Sequence, residues 1–276
     1  MYAFDYHRCA SAEEAKALLA ELGDGRFLAG GQSLLPMMKL RFVMTSNIID
    51  LRDCEALRGI AIDSGSVTIG AMTRHVDVAS STELAAALPV LAGLAGGIGD
   101  PLVRAQGTMG GSIANNDPAA DYPSACLGLG ATILTTGGDI AADDFFLGVF
   151  ETALEEGELV IGVRYPLPRA AAYKKFRHPA SRFALAGVFV ADAADGIRVA
   201  VTGAGSQGAF RWREAEAALT ADFSSDALEG AALDTSDLNS DIHADAEYRG
   251  HLVRVMAKRA IEQILAGIDS GTQLPV

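Results

Sequence analysis

Two glycine-rich segments contain the residues best suited to holding a ligand. The first reads AGGQSL over residues 29–34 and the second reads GTMGGS over residues 107–112, so their glycine pairs lie 80 positions apart. Adjacent glycines allow positive φ angles and let the backbone approach a ligand closely. Successive N–H groups in such a turn bind anions, and a serine hydroxyl adds a donor. The first segment alone fits a plain tight turn equally well, but the two together predict a clamp for the two phosphates of a dinucleotide.

The charge balance is compatible with this chemistry and argues against other classes of partner. Among 276 residues, 22 Lys and Arg stand against 35 Asp and Glu, which gives a formal net charge of −13. Such a surface repels nucleic-acid phosphates and anionic membranes, so we expect no nucleic-acid partner. The apolar, uncharged stretch at residues 84–99 contains Pro89 and four glycines. It is too short to cross a bilayer, so we do not expect an integral membrane protein.

Cysteine usage indicates a reducing compartment. Cys9, Cys54 and Cys126 are far apart and form no C-x-x-C pair, so we expect free thiols and no iron–sulfur or zinc site built by this chain alone. The first residues, MYAFDYHR, lack an apolar signal core, and we therefore expect a cytoplasmic protein. No spacing of metal ligands and no nucleophile motif stands out, so we assign no catalytic side chain and no metal site.

The first half of the chain contains elements that can position these segments. Ser11 and Glu14 form a capping box and Gly23 is a stop signal, which predicts a helix between them. A short strand at residues 27–29 leads into the first glycine segment, and residues 47–51 and 67–71 also have strand character. Residues 83–97 predict one buried, alanine-rich helix. Residues 107–121 show no periodicity and contain many turn formers, so they predict a long ordered loop.

The second half predicts further strands and a helical end. Strand character returns at residues 131–135 and 159–165, and Pro166 and Pro168 precede a plausible domain boundary. Beyond it we predict strands at residues 173–177, 184–191 and 197–202, an acidic excursion with short helices at 220–247, and a last helix at about 248–265. The fold class that these elements indicate is α+β.

The motifs together resemble a known family. The stretches that carry the resemblance are AGGQSLLPMMKLR (29–41), VTIGAMT (67–73), DPLVR (100–104) and GTMGGSIANNDPAADYP (107–123), with FDYHR (4–8) and YKKF (173–176) in support. The chain resembles the FAD-binding medium subunit of the molybdenum hydroxylases, of the xanthine dehydrogenase family, and within it the carbon-monoxide-dehydrogenase type. The resemblance spans essentially the whole length.

The resemblance implies a fold and a division into domains. Residues 1–168 would form a FAD-binding domain of the vanillyl-alcohol-oxidase/p-cresol-methylhydroxylase type, with two α/β subdomains at about 1–55 and 56–168. Residues 172–276 would form a small C-terminal α+β domain. The implied cofactor is FAD.

The resemblance also implies a set of cofactor-binding residues. In the two glycine segments these are Leu28, Ala29, Gly30, Gly31, Gln32, Ser33 and Leu34, followed by Thr108, Gly110, Gly111, Ser112 and Ala114. Outside them they are Ile98, Asp121, Val160, Lys175 and Phe183. The carboxylate of Asp121 is suited to accept hydrogen bonds from sugar or ribityl hydroxyls.

Three of these positions carry further interpretation. Some relatives have His where this chain has Gln32, and Tyr is common where it has Phe183, so a titratable group and a hydroxyl are lost here. Taken alone, Lys175 fits a surface strand lysine and Phe183 fits a core aromatic. The resemblance instead implies a lysine near the flavin and an aromatic side chain against the flavin ring.

The function that the resemblance implies is electron transfer in a larger enzyme. A small subunit with two [2Fe–2S] clusters would pass electrons to FAD on this chain, a large subunit would carry the molybdenum cofactor, and the assembly would be a dimer of heterotrimers, a heterohexamer. The external electron acceptor stays open between a quinone, NAD and oxygen, and the substrate between carbon monoxide, aldehydes and N-heterocycles. Two alternatives remain: a self-sufficient FAD-dependent oxidase, with His178 the one histidine near the Lys175–Phe183 stretch, and a non-enzymatic assembly protein without FAD.

Overall fold

The computed structural model describes residues 1–270, so the end of the predicted C-terminal domain, 271–276, lies outside the described residues. Strands of three sheets and one hairpin account for the β-structure. In chain order the strands are β1 (Asp5–Arg8), β2 (Arg26–Leu28), β3 (Asn47–Asp50), β4 (Ile60–Ile62), β5 (Ser66–Gly70), β6 (Thr132–Thr135), β7 (Gly138–Ala141), β8 (Phe146–Gly148), β9 (Glu151–Thr152), β10 (Val160–Pro166), β11 (Ala170–Arg177), β12 (Ala184–Ala193), β13 (Gly196–Thr202) and β14 (Phe210–Arg211).

Most helices are short and lie between these strands. They are α1 (Ala12–Leu22), α2 (Leu34–Lys39), α3 (His75–Ser80), α4 (Thr82–Ala87), α5 (Pro89–Gly96), α6 (Pro101–Gln106), α7 (Met109–Asn115), α8 (Asp121–Leu129), α9 (Ala142–Phe145), α10 (Arg213–Ala221) and α11 (Ala246–Ser270). No helix within residues 1–270 is both long enough and apolar enough to cross a membrane.

The first sheet has the order β1-β3-β2, and both pairings are parallel. The predicted helix α1 connects β1 to β2: the Ser11 hydroxyl accepts a hydrogen bond from the Glu14 N–H at 3.1 Å, and Gly23 ends the helix at φ 71°. Ligand sites on open parallel sheets lie beyond the carboxyl ends of the strands. The first glycine segment leaves β2 at that edge, directly after Leu28.

The second sheet is antiparallel, with the order β4-β5-β10-β6-β7. At its centre Val163 of β10 pairs with Ile69 on one side and Ile133 on the other, and all three side chains are fully buried. Residues of α4, α5, α7 and α8 belong to the same apolar cluster. Helix α8 is buried along its whole length, because it also packs against the third sheet.

Two predictions in this region are wrong. The single helix at 83–97 is broken into α4 and α5 at Leu88, whose φ of −144° is not helical. Pro89 explains the break, because proline disfavours a helical residue before it and is well suited to the first position of a new helix. The loop at 107–121 contains a helix, α7, which begins at the Thr108 cap and ends where Asn116 takes a left-handed φ of 42°.

The third sheet is antiparallel and follows the chain, with the order β11-β12-β13-β14. The strands predicted at residues 173–177, 184–191 and 197–202 lie within β11, β12 and β13, and α11 extends the predicted last helix in both directions. Helices α10 and α11 pack on this sheet over a second apolar cluster that includes the fully buried Trp212. The third sheet also holds the loop between α7 and α8, because the Thr202 hydroxyl donates to the Ala120 carbonyl at 2.6 Å and the Gly203 N–H donates to the Pro118 carbonyl at 2.9 Å.

Candidate functional site

The two glycine-rich segments meet in space. A Cβ added at Gly30 would lie 2.2 Å from the Gln106 carbonyl oxygen and 2.7 Å from the Gly107 Cα. A Cβ at Gly111 would lie 3.5 Å from the Cβ of Ala29. Contacts below 3.0 Å with backbone atoms do not occur for real side chains, so only glycine fits at position 30. The fold therefore joins the two segments into one junction.

The first segment offers free backbone donors. No atom among the residues that the structure describes accepts a hydrogen bond from the N–H groups of residues 30–34. Gln32 and Ser33 are exposed, and the Ser33 hydroxyl forms no capping bond with α2. Gly31 has φ 68°, a conformation that other residues adopt only with strain. Consecutive N–H groups in such a turn form a concave site for an anion.

The second segment differs from the sequence-based expectation, because the fold uses its N–H groups internally. The acceptors are Thr73 O for the N–H of Met109 at 3.0 Å, Ala71 O for that of Gly110 at 2.9 Å and Thr108 Oγ1 for that of Gly111 at 3.2 Å. A Cβ at Gly110 would lie 2.4 Å from the Cβ of Ala71. These glycines therefore let α7 pack against the end of β5 and support the first segment from behind.

A buried ion pair joins the first residue of α8, Asp121, to Lys175 of β11. The Lys175 ammonium is 2.9 Å from the Asp121 carboxylate, and both side chains are only 4% exposed. The Tyr173 hydroxyl donates to the same carboxylate. Burial raises the pKa of Asp121, and the nearby Lys175 charge and the Tyr173 hydrogen bond offset part of that effect.

The lysine also contacts the segment that follows α5. Its Nζ donates to the Gly97 carbonyl at 3.0 Å, and the neighbouring Ile98 carbonyl accepts from Arg104 Nη1 at 2.8 Å. The Ile98 side chain is buried in the same apolar cluster as Val160. The Lys175 Nζ thus lies 2.9–3.0 Å from three oxygens, the Gly97 carbonyl and both carboxylate oxygens of Asp121.

Strand geometry explains why Tyr173 and Lys175 act together. Alternate residues of a strand point to the same face, so both side chains leave β11 towards α8. Opposite Lys175 on β12 stands Gly187, where a Cβ would lie 2.5 Å from the Tyr173 hydroxyl oxygen. The absence of a side chain there gives the tyrosine room to reach Asp121.

A histidine that the sequence analysis did not select lies behind the glycine junction. His75 is 4% exposed, and its Nε2 would be 2.7 Å from a Cβ at Gly107. Its buried Nδ1 has no hydrogen-bond partner within residues 1–270. Burial, with a smaller contribution from the Arg104 charge, lowers the pKa of His75 to about 4. The imidazole is therefore neutral at physiological pH.

The hairpin loop between β11 and β12 is held by its own histidine. The Nδ1 of His178 accepts from the N–H groups of Ala180 and Ser181, each at 3.2 Å, while its Nε2 lies 3.2 Å from His243 Nδ1. Both ring nitrogens are thus engaged in hydrogen bonds. Phe183, at the end of this loop, is 47% exposed rather than a core residue.

The three thiols and the carboxylates form no metal centre in the described part of the chain. Cys9, Cys54 and Cys126 are buried free cysteines. Across residues 1–270 no three His, Cys, Asp or Glu side chains come together as a candidate set of metal ligands.

Comparison with known proteins identifies the family. A family model described as the FAD binding domain in molybdopterin dehydrogenase matches residues 2–168, and a second, the CO dehydrogenase flavoprotein C-terminal domain, matches residues 171–264. The chain belongs to this family of FAD-binding subunits. It is the medium, FAD-binding subunit type of the carbon-monoxide-dehydrogenase-like molybdenum hydroxylases, and hence part of an oxidoreductase.

Curated relatives of this medium subunit cover nearly its whole length. It is similar to the carbon monoxide dehydrogenase medium chain of Hydrogenophaga pseudoflava, with 37% identity over 94% of this chain and 96% of that protein. It is also similar to the glyceraldehyde dehydrogenase medium chain of Sulfolobus acidocaldarius, with 34% identity over 95% of this chain and 98% of that protein. The nicotine 6-hydroxylase medium subunit of Paenarthrobacter nicotinovorans is 33% identical over 94% of this chain and 96% of that protein.

Solved structures show the same fold. One chain of a carbon monoxide dehydrogenase from Hydrogenophaga pseudoflava is 37% identical to this subunit. The match covers 96% of this chain and 98% of that chain, with a TM-score of 0.87. A chain of quinoline 2-oxidoreductase from Pseudomonas putida 86 is 30% identical, with the same coverage of 96% and 98% and the same TM-score of 0.87. The α+β fold class predicted from the sequence is therefore confirmed.

The predicted site residues of the medium subunit fall into four places. At the glycine junction lie Leu28, Ala29, Gly30, Gly31, Gln32, Ser33, Leu34, Thr108, Gly110, Gly111, Ser112 and Ala114. At the buried ion pair lie Asp121 and Lys175, with Ile98 next to the Gly97 carbonyl that Lys175 contacts. Val160 lies at the start of β10 in the large apolar cluster that also contains Ile98, and Phe183 lies in the loop between β11 and β12.

Two residues with evident roles at the site were missed. Tyr173 was noted only as part of a matching stretch, although its spacing of two from Lys175 on a predicted strand indicates a shared face. His75 carried no usable signal, because nothing in the sequence around it indicates that the turn after α6 packs against it.

Proposed function

We propose that this medium subunit is the FAD-containing electron-transfer subunit of a three-subunit molybdenum hydroxylase. It would take electrons from the [2Fe–2S] clusters of a small partner subunit and release them to an external acceptor, in a dimer of heterotrimers with a large molybdenum-cofactor subunit. The observation that carries this proposal is the junction of the glycine segments, where the free N–H groups of residues 30–34 are fixed against the second segment.

The residues at the junction fit the pyrophosphate of FAD. A chain with a net charge of −13 needs a local source of positive potential to hold two phosphates, and aligned N–H groups supply it without lysines. The Ser33 hydroxyl is exposed beside them. In this assignment residues 28–34 bind the phosphates directly, while Thr108, Gly110, Gly111, Ser112 and Ala114 form the wall behind them.

The buried ion pair serves a different part of the cofactor in this proposal. The Lys175 ammonium is held between the Gly97 carbonyl and the Asp121 carboxylate. We assign it to a flavin acceptor, which would share one of its three protons with Asp121, and we assign Ile98 and Val160 as apolar contacts. The main role of Asp121 in this assignment is to hold the Lys175 ammonium in position, while the Tyr173 hydroxyl holds the Asp121 carboxylate. Phe183 is assigned to the flavin ring, where it limits the access of water.

FAD, when bound, supplies the uptake and release of electrons at its ring, and the protein supplies binding, orientation and electrostatics. That division explains why the site contains no side-chain nucleophile. The Lys175 ammonium, whose charge Asp121 partly offsets, would donate a hydrogen bond to the flavin, and burial strengthens that contact because the local dielectric is low. His75 is neutral and adds no charge at the junction.

The identity of the oxidised substrate lies outside this chain in the proposal. The similar medium chains belong to enzymes named for carbon monoxide, glyceraldehyde and nicotine. Because one type of medium subunit accompanies such different substrates, the large subunit would select the substrate.

The proposal includes two domains, at residues 1–168 and 172–276, and a cytoplasmic location. The change from the second to the third sheet after Pro166 supports the division.

The test is a reconstitution with defined components. The purified chain should release FAD on denaturation, detected by chromatography, and the dithionite-reduced iron–sulfur subunit, freed of excess reductant, should bleach its flavin absorbance. If the chain, alone and with its partner subunits, neither contains nor takes up FAD, the proposal is wrong. Flavin reduction by a small substrate without any partner would instead indicate the self-sufficient oxidase. The hydrogen bonds at both ring nitrogens of His178 leave that residue without a free base position.

A further inference from the structure

An exposed apolar tip on the β8–β9 hairpin is not explained by the cofactor site. The hairpin follows α9 and is hydrogen-bonded to Asn116. It presents Leu147, Val149 and Phe150, whose exposed fractions are 57%, 42% and 61%. Phe150 also has a left-handed φ of 56°. A bulky residue in that region is a genuine outlier, and such strain persists where it serves a function.

The hairpin is held rigidly by the helix of the second glycine segment. The Asn116 side-chain amide donates to the carbonyls of Gly148 and Glu151 at 2.8 and 2.9 Å, and the Phe150 N–H donates to the Asn116 carbonyl at 3.2 Å. Asn116 is 1% exposed. Buried bonds of this kind fix the backbone on both sides of the turn, so the three apolar side chains are displayed at a defined place.

One unpaired negative charge lies on the hairpin itself. Glu151 is exposed and forms no ion pair within residues 1–270, and the same is true of Asp144 and Glu155, which lie before and after the base of the hairpin. The neighbouring Asp143 differs, because Arg198 and Arg211 both contact it. A surface complementary to the tip therefore has an apolar pocket bordered by lysine or arginine.

The location of the tip indicates which partner carries that surface. Asn116 ends α7, and Thr108 at the other end of α7 belongs to the glycine junction. A helix of this length spans about 10 Å, so a protein seated on the hairpin lies about one helix length from the glycine junction. It also lies near the residues assigned to the flavin, because Asp121 is only five residues from Asn116. The component that must approach the flavin is the one that donates electrons to it.

We propose that the β8–β9 hairpin is the docking element for the electron-donating iron–sulfur subunit. Leu147, Val149 and Phe150 would enter an apolar pocket of that subunit, and the Glu151 carboxylate would face its basic rim. This inference rests on the proposed function. A second copy of this chain is a poor occupant, because its net charge of −13 opposes an acidic hairpin.

The test compares hairpin variants in the full FAD-loaded chain. Leu147→Ser combined with Phe150→Asn should weaken binding of the purified iron–sulfur subunit at least tenfold, measured by titration calorimetry, with the FAD content unchanged. Phe42→Ser is the matched control, since Phe42 is a 78% exposed aromatic residue outside the hairpin, and it should bind normally. Unchanged binding by the double variant overturns the inference, as does an equal loss in the control.

The thermal midpoint of the variant provides a second readout, because it should not fall when the binding affinity falls. Asparagine tolerates the left-handed region far better than phenylalanine, so Phe150→Asn should keep or raise the thermal midpoint while it weakens docking. A lower midpoint, or a loss of FAD, would show that Phe150 serves the fold or the cofactor site and would overturn the inference. So would a variant that loses only the large subunit or only self-association.

Charge variants test the rim separately. Glu151→Gln should slow association with the iron–sulfur subunit and reduce its dependence on salt, because rim charges act mainly on the association rate. An unchanged salt dependence contradicts the charge complementarity. The two proposals fail differently: if the unmodified chain holds no FAD or does not bind the iron–sulfur subunit, the proposed function fails. If the unmodified chain does both, and the hairpin variants bind the iron–sulfur subunit as well as it does, only the docking inference fails.

Discussion

The backbone of Gly30 lies directly against that of Gly107, so that a Cβ at position 30 would come within 2.7 Å of the Gly107 Cα. Residues from two distant parts of the sequence thus share one backbone contact. The free N–H groups of the first segment are fixed by this contact. The geometry of the proposed pyrophosphate site therefore depends on how closely two main chains can approach.

We expect Gly30→Ala to abolish retention of FAD. The added methyl group would push the first segment away from the second and displace its N–H groups. Gly65→Ala is the matched control, because a Cβ at Gly65 meets nothing within 4 Å. FAD content per polypeptide, measured after gel filtration, checks the prediction. Equal flavin content in both variants would contradict the role of the junction.

Loss of the cap on α7 should affect both stability and cofactor binding. Thr108→Ala removes the hydroxyl that accepts from the Gly111 N–H, which costs about 1 kcal/mol of unfolding free energy. Ser11→Ala removes the equivalent cap of α1, a helix that contains none of the proposed FAD-binding residues, at a similar cost. Denaturant unfolding should report both losses, whereas only the Thr108 variant should show a raised dissociation constant for FAD.

Breaking the buried ion pair should give a characteristic pH dependence. Lys175→Met leaves Asp121 buried without its partner, which destabilises a protein by about 3–5 kcal/mol while the carboxylate is charged. Because burial then raises the pKa of Asp121 without compensation, the folded state binds a proton that the unfolded state has released. The stability of the variant should therefore fall as pH rises above the ordinary aspartate range.

The control for that prediction removes both charges. Lys175→Met combined with Asp121→Asn should recover much of the stability and lose the pH dependence, because no buried carboxylate remains. Chemical unfolding between pH 5 and pH 8 measures both effects. A double variant that is less stable than the single variant would show that the ion pair is not the cause.

His75 should make the subunit sensitive to acid. Its pKa is lowered from 6.5 to about 4 by burial, so below pH 6.5 the unfolded chain binds a proton that the folded chain refuses. Stability is therefore lost as pH falls from 6.5 towards 4, by up to about 3 kcal/mol for this one group. His75→Leu should flatten that slope in pH-dependent unfolding, whereas the exposed His251→Gln should leave it unchanged.

Much of the site was predictable because short-range patterns encode it. Glycine pairs, the capping box before α1 and the alternation in β5 each depend on neighbours within a few residues. Helix α7 was missed for a physical reason: it has seven residues, two of them glycine, and no apolar stripe. The Thr108 cap is a local signal, but most of the support for the helix comes from packing on the end of β5, which a window of local sequence does not contain.

The ion pair shows the same limit in another form. Asp121 and Lys175 were selected singly, but their contact joins elements whose relative position is set by packing of α8 on the third sheet. The role of Gly187 follows from the β11–β12 register, which places it opposite Lys175. Register is a property of the folded sheet, so the sequence alone did not assign that glycine.

The Asp121–Lys175 pair also makes the two halves of the gene interdependent. Asp121 lies in the region 2–168 that one family model matches, and Lys175 lies in the region 171–264 that the other matches. A truncated product or a chimaera that replaces one half inherits a buried ion without its counterion unless the new half supplies it. Exchange of modules between relatives is therefore restricted to parents that share both charges.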